Sequence, residues 1–95
     1  MSNGVIADSP NRTGKWYIEP FSDMSAAFFF SSDPFRVCVL DRLSWWIYEL
    51  ADGRSEVEIA THVANASSGR IGEGEEAQSF VRDRLDSLRL RGLIA

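Results

Sequence analysis

The chain of 95 residues has one cysteine, one histidine and one lysine. The lone Cys38 excludes an internal disulfide and any zinc site built from several cysteines. No run approaches the ~18 consecutive apolar residues that a membrane span needs, so no membrane partner is expected. Residues 1–14, MSNGVIADSPNRTG, hold no basic segment followed by an apolar stretch. No secretory leader is therefore expected, and the expected compartment is the cytoplasm. A surplus of positive charge is also missing. The net charge is −4, which speaks against nucleic acid as a partner, because binding to phosphates draws on excess Lys and Arg.

What is present is the balance of one small globular domain: 44% hydrophobic and 25% charged residues. Such a length buries a single modest core. All the cations but Lys15 are arginines, the side chain whose fork suits carboxylates.

Residues 1–14 are polar and read as a flexible N-terminal tail, leaving 15–95 as the folded domain. Trp16–Glu19 reads as a strand closed by Pro20. Ala26–Phe30, with three consecutive phenylalanines, is a second strand. Asp33-Pro34 signals a turn, and Arg36–Leu40 (RVCVL) is a third strand. Three short strands with short connections predict an antiparallel meander.

Helical periodicity follows. Asp41 stands where an N-cap belongs, and Leu43, Trp46, Ile47 and Leu50 share one face before Asp52-Gly53 stops the helix. Ser55 and Glu58 have the spacing of a capping box, ahead of Ile59, Ala60, Val63 and Ala66. After the glycine-rich SSGRIGEG, Ala77, Val81, Leu85 and Leu88 form the buried stripe of a third helix that Gly92 ends. The expected fold is α+β: a winged helix–turn–helix, with a three-stranded antiparallel sheet followed by three helices.

Trp45 and Trp46 are adjacent on the first helix, where neighbours lie ~100° apart and cannot share one inward face. With Trp46 inward, Trp45 points away and Tyr48 lies on its side, so this pair is expected to meet a partner. The alternative is that the N-terminal segment, or the loop before the second strand, folds over it. Phe29 opposes Phe28 and Phe30 across the second strand, so both sheet faces carry aromatics. One helix layer covers only one face. A homodimer or a partner enzyme is expected to cover the rest, with Trp45, Tyr48 and Phe29 as the interface residues.

No constellation points to catalysis. His62 lies beside the apolar face of the second helix without a nucleophile or orienting acid. Cys38 in a strand reads as a small packed residue. Residues 70–74 have the glycines of a phosphate loop but lack its Lys-Ser/Thr ending. Asp83 and Asp86 interleave with Arg82 and Arg89 as a solvated charge pattern. No enzyme, no metal and no cofactor are expected.

The last strand, Arg36–Leu40, contains no proline, glycine or acidic residue to block its free edge. An extended peptide can add there by β-augmentation along Arg36, Val37, Cys38, Val39 and Leu40. On the third helix Phe80, Arg84, Ser87 and Arg91 fall on one stripe beside the core face. An apolar ring with guanidinium groups suits a peptide carrying apolar and acidic residues. The alternative is a solvated amphipathic flank with Phe80 partly buried.

Residues 36–95 resemble PqqD, the small peptide chaperone family of pyrroloquinoline quinone biosynthesis, and the wider set of RiPP recognition elements. The resemblance rests on RVCVL running into the cap at Asp41, the helix WWIYELADG, the helix SEVEIATHV and the closing SFVRDRLDSLRLRGLI. The chain departs from that family at Asp41, where Asn is usual, and at Trp45 and Trp46, where small residues are. The resemblance implies binding of the leader segment of a ribosomally made precursor peptide, as an added strand on the third strand against the third helix. It also implies delivery to a maturation enzyme: a radical SAM enzyme, a cyclase or a leader protease. The competing expectation is a winged-helix DNA-binding transcriptional regulator. Residues 75–91, however, set four arginines against Glu75, Glu76, Asp83 and Asp86, with no net charge.

Overall fold

A computed structural model describes residues 9–32, 35–68 and 70–95. The expected Asp33-Pro34 turn and the first eight residues of the expected tail lie outside them. Strands β1 (Tyr17–Pro20), β2 (Ala26–Ser32) and β3 (Phe35–Asp41) form an antiparallel sheet in the order β1-β2-β3. Helices α1 (Arg42–Leu50), α2 (Glu56–Ala66) and α3 (Glu75–Leu90) follow. The fold is α+β, in the order the sequence predicts. No helix among the described residues is long and apolar enough to cross a membrane.

The local signals act as their chemistry requires. The Asp41 carboxylate accepts from the Ser44 amide at 2.8 Å and opens α1. Ser55 and Glu58 exchange both bonds of a capping box at the start of α2. At the end of α3, the Leu93 amide donates to Leu88 O and the Gly92 amide to Arg89 O. This closure needs a left-handed residue, and Gly92 supplies it at φ +80°. It turns Leu93 and Ile94 into the core.

The helices cover one face of the sheet. Ala27, Phe29 and Leu40 from the sheet meet Ile47, Leu50, Ile59, Val63, Val81, Leu85 and Leu88 in one core. Trp16 and Ile18 pack against its margin. The molecule is thin, 39 × 35 × 16 Å, the depth of one sheet layer and one helix layer.

Several expectations are corrected here. Phe29 is not an interface residue: it is fully buried, with its ring edge-on to Tyr48 at 5.0 Å. Alternation sends Phe28 and Phe30 outward instead. Tyr48 is not exposed either, because α1 is rotated so that Ile47, Tyr48 and Leu50 face inward. That rotation leaves both tryptophans half-buried, so Trp46 is not core and Trp45 is not fully outward.

The N-terminal segment accounts for the burial of Tyr48. Residues 9–13 are no loose tail but a docked segment. Pro10 is fully buried, Asn11 bridges to Asp52, and Arg12 bridges to Ile94. The Arg12 guanidinium pairs with Glu49 and lies over the Tyr48 ring at 5.7 Å. The segment folds over the Tyr48 side of α1, as the alternative anticipated. Ala66, expected on the inner face of α2, is exposed near the helix end.

Candidate functional site

Strand pairing decides which backbone groups are free. The Arg42 amide donates to Ser25 O across β2 and β3. In an antiparallel pair, hydrogen-bonded and non-hydrogen-bonded positions alternate. Counting back along the register, Leu40, Cys38 and Arg36 bond to Ala27, Phe29 and Ser31. Val39 and Val37 therefore turn their N–H and C=O groups toward the open edge. An independent contact agrees: Val39 O accepts from the Arg91 guanidinium at 3.3 Å, away from β2.

The opposite edge is a poorer template. The Phe21 amide donates to Ala26 O, so by the same alternation Pro20 occupies an outward-facing position of β1. Pro20 has no N–H to offer there, and β1 is four residues long. β3 has seven residues and neither proline nor glycine.

Beside the β3 edge runs a groove floored by α3. One part, of about 240 Å³, is lined by Val39, Leu40, Asp41, Ser44, Arg84, Ser87, Leu88 and Arg91. A second, of about 390 Å³, is lined by Trp16, Arg36, Val37, Cys38, Leu90 and Arg91. Arg91 belongs to both and spans them by reaching from α3 to Val39 O. Of the nine residues expected at the site, all but Phe80 line this groove.

Phe80 is half-buried beneath a guanidinium, with Arg84 Cζ 4.8 Å from its ring centre. Arg84 also donates to both Asp41 carboxylate oxygens at 3.2 Å and to Ser44 Oγ at 2.8 Å. It is held by the start of α1 rather than offered to a ligand. Burial raises the Asp41 carboxyl, but its bonds from Ser44 and the nearby Arg84 outweigh that and hold it below its ordinary value. Arg36 lies across Gly92, where a Cβ would collide with the guanidinium. Burial pushes the Cys38 thiol up against the opposing influence of Arg91. The thiol stays protonated at neutral pH, which suits packing rather than nucleophilic attack.

Sequence reasoning missed Trp16, Asp41, Ser44, Leu88 and Leu90 at this groove. Trp16 was findable once the register was known, since it sits in line with Ser31 and Arg36, and the small serine leaves its ring room. Leu90 is the most exposed large apolar side chain among the described residues, at 89%. Its place two residues beyond the buried Leu88 marks it only after the helix end is fixed.

Elsewhere, Arg42, Trp45, Trp46 and Glu49 line a shallow depression of about 320 Å³ on the outer side of α1. Among the described residues no three His, Cys, Asp or Glu side chains gather as a metal site. No family model, curated protein or solved structure matches the chain.

Proposed function

We propose that this chain is a non-catalytic peptide-binding module of the PqqD-like, RiPP-recognition kind. It holds the leader segment of a ribosomally made precursor as a fourth strand on β3 and presents it to a maturation enzyme in the cytoplasm. The observation that carries this reading is the open β3 edge, where Val37 and Val39 turn backbone groups away from β2 beside a groove and Val39 O is held only by the Arg91 side chain. Main-chain bonds supply affinity in β-augmentation, and flanking depressions supply specificity. Trp16 and Leu90 give one half of the groove an apolar character, while Arg36 beside them favours a carboxylate nearby. The outer side of α1, with Trp45 and Trp46, is the surface left for the enzyme.

The DNA-binding reading is weaker. A recognition helix needs arginines free for phosphates. Those of α3 and its cap are engaged within the chain: Arg82 with Glu56, Arg84 with Asp41, Arg89 with Asp86, and Arg91 with Val39 O. A salt titration with duplex DNA should accordingly show no specific binding.

The direct test uses linear peptides selected from a displayed random library against the intact chain. Val39→Pro removes an N–H that the β2–β3 ladder does not use, so the variant should fold. Its affinity for the selected peptides should fall at least tenfold. Undiminished binding by a folded Val39→Pro protein would place the site elsewhere.

A further inference from the structure

The face of the sheet turned away from the helices is apolar and open. Tyr17, Phe28, Phe30, Phe35, Val37 and Val39 are each between 37% and 76% exposed there. Aromatic side chains bring roughly 150–250 Å² apiece, so the six leave about 500 Å² of apolar surface uncovered. Two such faces pressed together would bury about 1,000 Å², the threshold of a specific interface. A patch of this size is at the upper end of what a monomer carries, and such patches are often contact surfaces.

The register gives this face a pattern that is complementary to itself. Beyond the end row of Ala26 and Asp41, where Phe21 lies against Phe28 at 5.1 Å, three rows cross the face, and the middle one is Tyr17–Phe30–Val37, with the Tyr17 and Phe30 rings stacked at 5.3 Å. On one side lies the row Glu19–Phe28–Val39. On the other lies Ser32 opposite Phe35, with Lys15 beside Tyr17 and Ser32. A two-fold axis along the middle row would lay each outer row on the other row of a second copy. Glu19 then meets Lys15, Phe28 meets the small Ser32, and Val39 meets Phe35. Opposite charges, a large side chain over a small one, and an apolar pair all coincide under one operation. A closed two-fold dimer requires such self-matching.

We infer that two copies of this chain pack face to face through the outer side of the sheet, about a two-fold axis along Tyr17–Phe30–Val37. The arrangement leaves the backbone edge of β3 open, and it stands independently of what binds there. An interface of about 1,000 Å² lies at the small end for specific association, where transient dimers are found.

Sedimentation equilibrium of the full chain across micromolar concentrations, beside thermal melts, tests this. The wild type should dimerise, and Phe30→Asp should be monomeric while keeping its melt. Lys15→Glu and Glu19→Lys should each weaken the dimer roughly tenfold through like charges. The double variant Lys15→Glu/Glu19→Lys should restore it, because the two-fold brings the swapped pair together again. A wild type that stays monomeric at several hundred micromolar overturns the inference. So does a dimer indifferent to Phe30→Asp, or a charge-swapped variant no better than the single ones.

Discussion

Arg84 lies on the stripe that the helical period assigns to a ligand, yet its guanidinium sits between the Phe80 ring and the Asp41 carboxylate. Its sequence neighbours could not reveal this, because its partner is 43 residues away. Asp41 was legible as a cap, since capping is a matter of adjacent residues. Its pairing with Arg84 depends on how α1 packs on α3. Tyr48 shows the same limit: its burial requires the docking of residues 9–13, a contact that no helical wheel contains. Asp41 carries a pH prediction. Its folded-state value is depressed, so its stabilisation is complete above the ordinary carboxylate value of 3.8 and is lost as pH falls through the folded value. The side chain is 59% exposed, so solvent screening keeps the effect within ~1 kcal/mol. Asp41→Asn keeps the cap but not the charge. The wild type should melt above Asp41→Asn at pH 7, and the gap should close toward pH 3. A gap of equal size at both pH values would contradict the pairing.

Among the elements, the six periodic segments were readable because each carries its own signal: alternation for strands, caps and apolar stripes for helices. The rotation of α1 about its axis was not. Leu43, Trp46, Ile47 and Leu50 make a self-consistent face, but so do Ile47, Tyr48, Leu50 and Ala51. The second face is the one that meets Phe29 and the docked N-terminal segment. The tryptophans then straddle the outer side of α1, with Arg42 and Glu49 between them. Truncation should therefore treat the doublet as a pair. Phe29→Ala should lose about 3–5 kcal/mol, as large core truncations do. Trp45→Ala and Trp46→Ala should each lose about half of that or less, by similar amounts. Urea denaturation of the three variants measures this. A Trp46→Ala protein as unstable as Phe29→Ala would return Trp46 to the core.

At the scale of the whole molecule, a single helix layer on a three-stranded sheet leaves an apolar outer face and an unpaired strand edge. That both sheet faces carry aromatics was legible from three consecutive phenylalanines. Which ones point outward follows from the register. The open edge of β3 was legible from the absence of blocking residues in RVCVL. Its identity as the Val37 and Val39 backbone needed the hydrogen-bond phase of the ladder. The proposed function puts a peptide on this edge. Amide hydrogen exchange of the intact chain, with and without a saturating library-selected peptide, addresses it residue by residue. Exchange at Val37 and Val39 should slow strongly on binding, while Arg36, Cys38 and Leu40, already bonded to β2, should change little. Unchanged exchange at Val37 and Val39 in the presence of bound peptide would mean that the peptide does not pair with β3.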